Sequence, residues 1–429
     1  MKSVSEVVAC VVDNGSYVEQ AVRLAREYKT VYYCVPGWVT AYPTMKEAWI
    51  GKGLENIEVV ESVFEVLEET DLFVFPDTGF APMQTWLESK GKAVWGSRYG
   101  EDMELYRDAM KVHLAEIGQP VNPWQKVVGM DKLREYLKDN PDKYVKINKW
   151  RGMAETFYAK DYRLVEPQLD EMEYRLGPYK NLLVFVVESP LPDCVELGID
   201  GYTVDGKFPK KMIAGLEVKD RGYIGVFKEY SKLPSVVTDS YGALVPALAR
   251  CHYRGSLSTE NRIMEDKTSY MIDLCCRVPS PPGELCMEFY TNWSEIVWAG
   301  ANGEMVDPVP AGKYGAELVM VSNWAEGNWQ PIYFPEKYRQ FIKLKYATKI
   351  EGRYYSIPQD TGIKEFGAIV GYGDTMKSAI KMVKEIAETV EGFELKLKTD
   401  VFDAAQEEIK KSKDMGVSYF DDKDEDEKD

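Results

Sequence analysis

Residues 7–12 form a short, unbroken apolar run followed by Asp13-Asn14-Gly15-Ser16, so the pattern predicts a buried strand closed by a turn. From Tyr17 to Tyr28 the apolar positions Val18, Ala21, Val22 and Ala25 repeat at helical spacing. Residues 31–35 are again a short apolar run, and together these predict a βαβ unit. Two more apolar runs, 72–75 and 93–95, flank a helical stretch at 82–89, which makes the first hundred residues a doubly wound α/β domain. The turn after the first strand has no GxGxxG spacing, which argues against a dinucleotide site there.

Beyond this the periodicity changes. A helix is predicted over 101–117, stopped by Gly118-Gln119-Pro120, then a short helix over 131–138 and a strand over 144–147. Strand-like runs at 182–187, 194–204, 212–218, 256–264 and 270–276 predict an α+β region with antiparallel strands. A strand at 368–370, the loop Gly371-Tyr372-Gly373-Asp374 and a helix over 375–389 predict a third piece. The domain reading is therefore 1–100, 101–316 with a lid subdomain at about 122–185, 317–412, and an acidic disordered tail over 413–429.

Charge and composition narrow the function classes. The 429 residues carry a formal charge of -17, of which the nine-residue end 421–429 supplies -5, so the body is acidic and a nucleic-acid backbone is not the expected partner. No run approaches the roughly 18 apolar residues that span a bilayer, and residues 1–12 do not read as a secretory signal. Neither a membrane nor processing is expected. The seven cysteines are odd in number, scattered and without CxxC spacing, which suits reduced thiols in a cytoplasm. With only His113 and His252 available, the chemistry has to rest on carboxylates, lysines and arginines. Nothing in the patterning fixes an oligomeric state.

Several charged residues stand where charge is costly. Lys146 sits in the strand-like Tyr144-Val145-Lys146-Ile147, Glu188 closes an apolar run, and Glu196 lies inside another. Glu260 and Asp273 lie on two strands joined by a short turn. As a hairpin these would bring two carboxylates onto one face, a ready site for Mg2+.

Taken in order along residues 5–400, these elements resemble the ATP-grasp superfamily and, within it, the phosphoribosylamine-glycine ligase family. The likeness rests on Glu104-Leu105-Tyr106-Arg107 ahead of Gly118-Gln119-Pro120, Glu188-Ser189-Pro190-Leu191, Glu217-Val218-Lys219, and Gly222-Tyr223-Ile224-Gly225. It continues through Tyr253-Arg254-Gly255-Ser256-Leu257, Asp273-Leu274-Cys275-Cys276-Arg277 and residues 366–375. The resemblance implies an ATP-grasp fold with an N-terminal doubly wound α/β domain and a small C-terminal domain, and ATP and Mg2+ as cofactors. Arg107, Lys146, Glu188, Leu191 and Glu196 would bind ATP, and Glu260 and Asp273 the metal. Lys219 would contact the transferring phosphoryl group, Arg277 would hold a substrate carboxylate, and Asp77, in a Pro76-Asp77 loop like the family's, would face substrate. The implied reaction joins a small-molecule carboxylate to an amine through an acyl phosphate, releasing ADP and phosphate.

The sequence departs from the family at several points. Cys275 replaces a metal-binding Asn, and a thiol is a poor ligand for Mg2+. The glycine-rich lid is reduced to Lys149-Trp150-Arg151-Gly152-Met153, with Lys149 and Arg151 as the cations available there. Asn14-Gly15-Ser16-Tyr17 stands in place of a Gly-Arg-Glu-His loop, and residues 279–284 replace a Gly-Asp-Pro-Glu segment. The last two face the acceptor substrates in the family, so diverged substrates are expected. The alternatives are a non-catalytic nucleotide-binding or scaffold protein of the same fold, and a true phosphoribosylamine-glycine ligase. The tryptophans and tyrosine at 293, 298, 324, 329 and 333 could form a stacking platform for a base or sugar, but core or interdomain packing is the commoner role of such residues.

Overall fold

The computed structural model describes residues 1–36, 46–149, 155–359 and 364–421. The chain divides into two compact units, one of Met1–Glu101, Leu197–Thr259 and Cys275–Asp429, the other of Asp102–Glu196 and Glu260–Leu274.

The first unit opens with strands β1 (Val8–Val12), β2 (Thr30–Cys34), β3 (Glu58–Val60), β4 (Leu72–Val74) and β5 (Ala93–Trp95), paired in the order β3-β2-β1-β4-β5. All four pairings are parallel. Cys10, Val12, Cys34, Phe73, Phe75 and Val94 fill the core together with Leu87 from the helix Ala81–Ser89. The edge strand β3 escaped the sequence reading because Glu58-Val59-Val60 is short and nowhere fully buried, so it shows no apolar run. The chain reverses its direction of winding between β1 and β4. In doubly wound sheets the crevice outside the strand ends at such a point takes the ligand.

The remainder of this unit holds an antiparallel sheet ordered Lys211–Val218, Gly222–Glu229, Tyr314–Ser322, Glu365–Gly373, Ile342–Leu344. Tyr314–Ser322 pairs on one side with Gly222–Glu229 and on the other with Glu365–Gly373. Residues from 317 onward therefore share a sheet with 211–229 rather than building one of their own. Gly222-Tyr223-Ile224-Gly225, one of the stretches that carry the resemblance, is regular strand. Gly225 lies between Gly215 and Gly315 in register, and a Cβ at Gly215 would come within 2.6 Å of the Tyr223 ring. These glycines make room for an aromatic ring.

The helix expected at 375–389 spans Met376–Ala387, capped by Thr375 Oγ1 accepting from the Ser378 amide at 3.0 Å. A last helix, Val401–Asp414, is followed by the buried side chains of Val417, Tyr419 and Phe420, and Tyr419 donates to the Gly198 carbonyl at 2.6 Å. Residues 413–421, expected within the disordered tail, are thus packed, because three apolar side chains there outweigh the surrounding charge. Residues 422–429 lie outside the described residues.

The second unit contains β6 (Trp124–Val128), β7 (Lys143–Ile147), β8 (Thr156–Ala159) and β9 (Val184–Glu188), an antiparallel sheet ordered β6-β9-β7-β8. The helices Met130–Asp139 and Tyr162–Leu176 cover it, placing Leu133, Leu137, Leu169 and Met172 against Val145, Ile147, Phe185 and Val187. The second helix was hidden in sequence by Pro167 in its interior; the burial of Val165, Leu169 and Met172 offsets the lost backbone bond. The helix expected over 101–117 is broken at Tyr106 (φ -109, ψ 72), which separates Asp102–Leu105 from Arg107–Glu116. No described helix is long and apolar enough to cross a membrane.

A charged knot ties the C-terminal segment of the first unit to its N-terminal sheet. Arg339 lies 3.0 Å from both Glu19 and Glu55, Lys349 lies 3.0 Å from Glu55, and the Tyr354 hydroxyl donates to Glu55. Burial works against the Glu55 charge, but Arg339, Tyr354 and Lys349 outweigh it and hold the carboxyl down at about 2. A folded-state value below the ordinary 4.5 means stabilisation that is full above that pH and is lost as pH falls toward 2. Glu55→Gln is expected to flatten the melting temperature between pH 4.5 and 2 relative to wild type, as read by circular dichroism. Equally steep acid limbs in the two proteins would overturn the assignment.

Candidate functional site

In the second unit the helix Arg107–Glu116 places Arg107 and Lys111 one turn apart, hence on one face, with Met110 and Leu114 beside them. On the sheet, Lys146 of β7 pairs with Val186 and Tyr144 with Glu188, so strand alternation directs Lys146 and Glu188 to the same side. Both are buried, as are Arg107 and Lys111. Lys111 Nζ lies 3.0 Å from Glu188 Oε1 as an ion pair without hydrogen-bond alignment, and donates to Asn122 Oδ1 at 2.7 Å. Asn122 in turn donates to Glu188 Oε2 at 3.3 Å. Lys146 Nζ stands 3.9 Å from both Glu188 and Asp273 and donates to the Ile272 carbonyl at 2.5 Å. Arg107 donates to the Ile147 carbonyl at 2.8 Å and pairs with Glu155.

Burial and neighbouring charge shift two cations of the cluster in opposite directions. Burial pushes the Lys111 amine down and Lys146 adds to this, against the pull of Glu188 and Asp273. Burial opposes Arg107 as well, yet Asp273, Glu155 and Glu104 outweigh it and raise its pKa. The result is three cations fixed around a cavity of about 20 Å³ lined also by Met103, Met271 and Leu274, room for about one water. Such a set suits a multiply charged phosphate chain meeting this face.

The other expected residues of this unit occupy nearby segments. Leu191 follows β9, and its carbonyl accepts from Cys194 Sγ at 3.2 Å. Glu196 is paired with Arg262 at 2.6 Å. Glu260, on the strand Arg254–Ile263, and Asp273, on Ser269–Cys275, are half-buried. Lys149 places its amine 4.3 Å over the Tyr106 ring, whereas Arg151 and the rest of the reduced lid lie outside the described residues. Lys111 and Asn122 were missed in sequence. The available signal was a cation one turn after Arg107 on an otherwise apolar helix face.

In the first unit a second constellation forms at the β1/β4 crevice. Val278 N donates to the Pro76 carbonyl at 2.9 Å, which brings Arg277 beside the loop after β4. Arg277 Nε lies 3.9 Å from Asp77, and Nη1 donates to the Tyr17 hydroxyl at 2.8 Å. Asp77 accepts from Asn14 Nδ2 and from the Thr78 amide, both at 2.8 Å. Close by, Lys345 donates to Glu365 at 2.5 Å and to Ser280 at 2.7 Å, with Glu284 at 3.8 Å. Burial raises the carboxyls of Glu284 and Glu317, with the charge of Glu365 adding to the first and that of Glu284 to the second. Lys219 lies in the turn between Lys211–Val218 and Gly222–Glu229. The neighbouring Asp220 is exposed as a residue, but crowding of its carboxyl and the charge of Glu365 raise its pKa against Lys219 and Lys345. Lys219, Arg277 and Asp77 thus belong to one unit, and the expected ATP-binding and metal residues to the other.

Among the described residues no group of three or more His, Cys, Asp or Glu side chains is set to hold a metal alone. Glu260 and Asp273 offer oxygen donors, and Mg2+ commonly takes one or two carboxylates and completes its shell from phosphate and water, so this donor set fits. Cys275 Sγ is directed to the Arg277 carbonyl at 3.7 Å.

No family model and no curated protein matches the chain. Solved structures do. Phosphoribosylamine-glycine ligase from Thermotoga maritima superposes with a TM-score of 0.65 at 14% identity over 92% of this chain and 100% of that one. The biotin carboxylase domain of Hydrogenobacter thermophilus 2-oxoglutarate carboxylase, in complex with MgADP, ADP and bicarbonate, gives 0.61 at 12% over 96% and 99%. L-amino acid ligase from Bacillus licheniformis gives 0.59 at 14% over 91% and 99%. The architecture is the ATP-grasp fold. Within this fold the buried Lys111–Glu188 pair is the feature that the sequence motifs leave unmentioned.

Removing one partner of a buried ion pair leaves the other charge stranded, at a cost of about 3–5 kcal/mol. Lys111→Met is therefore expected to destabilise the protein by that order, and Lys111→Met with Glu188→Met to recover most of it, in denaturant titrations. Additive losses in the double variant would show that the two side chains do not act as a pair.

Proposed function

We propose that the protein is an ATP-dependent carboxylate-amine ligase. The observation that supports this best is the set of buried cations Arg107, Lys111 and Lys146 beside the carboxylates Glu188 and Asp273, in a fold shared with ligases and with a MgADP-bound carboxylase. In this reading Arg107 and Lys146 bind the ATP phosphates, Glu188, Leu191 and Glu196 line the adenosine, and Glu260 with Asp273 hold Mg2+. The metal would neutralise charge on the phosphate oxygens.

Arg277 orients the substrate carboxylate by two parallel hydrogen bonds, a geometry that its planar guanidinium favours. A carboxylate oxygen then attacks the γ-phosphorus, the bond from that phosphorus to the β-bridging oxygen breaks, and ADP leaves with the electron pair. Lys219 offsets charge on the moving phosphoryl group. The amine nitrogen next attacks the acyl carbon, the carbon-oxygen bond breaks, phosphate departs, and the proton lost by nitrogen passes to phosphate or water. Asp77 faces this second substrate.

One observation favours a non-catalytic nucleotide-binding protein instead: Cys275, at a position where the fold's ligases carry a metal-binding Asn, is turned to a backbone carbonyl. Nucleotide binding and turnover separate the readings. Mg-ATP at a hundred times its Kd should stabilise the protein by about 2.7 kcal/mol, visible as a rise in melting temperature that is lost in Lys146→Ala. Once substrates are in hand, Lys219→Ala should lower kcat by about a hundredfold or more. Absence of any nucleotide-dependent shift would sink the ligase reading; a shift with Lys219→Ala fully active would remove the assigned phosphoryl-transfer role.

A further inference from the structure

Glu317 stands in the middle of the strand Tyr314–Ser322, flanked in register by Tyr223 and Val370, and is fully buried. A carboxyl at such a position is costly unless it is paired or neutral. Its Oε2 accepts from the Leu285 amide at 3.0 Å, which brings it beside Glu284, the preceding residue of the helix Gly283–Phe289 and itself buried. Glu284 Oε1 accepts from the Ser280 hydroxyl at 3.1 Å. The remaining oxygens, Glu317 Oε1 and Glu284 Oε2, are closed off from solvent and have no hydrogen-bond partner among the described residues.

The donors nearby are already engaged. Lys345 donates to Glu365 at 2.5 Å and to Ser280 at 2.7 Å, and lies 3.8 Å from Glu284 as an ion pair. The single Ser280 hydroxyl proton is divided between Glu284 and Glu365, each at 3.1 Å. One lysine thus stands among three carboxyls, and an ionised carboxylate can only accept. A proton on one of the two buried carboxyls makes it a donor and removes the repulsion between them. The other groups around the pair add no charge of their own: burial keeps the Cys286 thiol, on the same helix, and the Tyr223 phenol, on the neighbouring strand, neutral. Lys219 acts on Asp220, whose carboxyl also senses Glu365 and Lys345.

We propose that Glu284 and Glu317 form an acid pair that keeps one proton between them at neutral pH, supplying the donor that their two unpartnered oxygens lack. It does not depend on the ligase reading. Burial first, and then neighbouring carboxylates, lift both groups above the ordinary 4.5. The folded chain therefore holds a proton that the unfolded chain releases, and the sign is the reverse of that at Glu55. The pair's contribution to stability is largest below pH 4.5 and falls as pH rises from there toward the folded-state value. Release of the proton adds a full negative charge beside Glu365 and Lys345, the groups that Asp220 senses next to Lys219.

The test is infrared spectroscopy of the intact protein at about pH 8, above the range in which Asp13 and Asp200, both pushed up to about 6, give up their protons. Wild type should show the carbonyl stretch of a protonated carboxyl there. Glu317→Gln should abolish it, because Glu284 alone beside Lys345 ionises. The glutamine amide replaces the donor of the protonated acid, so this variant should melt no lower than wild type at about pH 8, and its stability should fall less steeply above pH 4.5. Should the variant fail to fold, the wild-type spectrum decides alone. Absence of the band from wild type at that pH would mean two ionised carboxylates and would overturn the proposal, as would a band that persists unchanged in folded Glu317→Gln.

Discussion

Charge taken out of water is the constraint around which both candidate sites are built. Lys111, Lys146, Arg107 and Glu188 are all buried in one unit, and Asp13, Asp77, Lys345, Glu284 and Glu317 in the other. An isolated ion in such surroundings is costly by several kcal/mol, so each must be met by a partner at short range. The partners then fix geometry: Glu188 is held between Lys111 and Asn122, and Lys345 between Glu365 and Ser280. Packed aliphatic residues would have been at least as stable. Their replacement by paired charge in two clusters is what makes function the better explanation than stability.

The fold was legible in sequence where its physics is local. The runs that became β1, β2, β4 and β5 are short and unbrokenly apolar, as strands buried on both faces must be, and the Thr375 cap stands just ahead of an amphipathic helix. The misses are non-local. The helix Tyr162–Leu176 exists because three of its side chains are buried in a core assembled from four strands, which overrides the propensity of Pro167. The packing of residues 413–421 depends on Val417, Tyr419 and Phe420 finding a surface far away in sequence, the Gly198 carbonyl among it. The sharing of one sheet by residues 211–229 and 314–373 is likewise written in no single window.

The candidate sites divide along the same line. Lys146, Glu188 and Asp273 announce themselves because a charged residue closes or interrupts an apolar strand, and the structure brings these three together. Arg277 and Asp77 are likewise adjacent, through a backbone bond from Val278 to Pro76 that no motif encodes. Lys111 was overlooked because its identity as a buried cation depends on Glu188, 77 positions away in the chain. Asp13 was read as a turn residue, correctly, since it accepts from two amides of its own turn; its burial is what gives it a second meaning.

That burial bears on how local charge is set within a fixed architecture. A glycine-rich turn leaves its amides open and therefore offers fixed partial positive charge to any anion. The Asp13 carboxylate, one residue past the strand end, occupies the Gly15 and Tyr17 amides from within the turn. The backbone need not move: Gly15 keeps a positive φ of 104°, and the chain still reverses into the helix Val18–Leu24. Asp13 thus occupies two amides of its own turn, and Asp77, held by Asn14, adds a second buried carboxylate to the same crevice. Local charge at the crevice is set by such side chains, while the sheet order β3-β2-β1-β4-β5 that creates the crevice is fixed by packing.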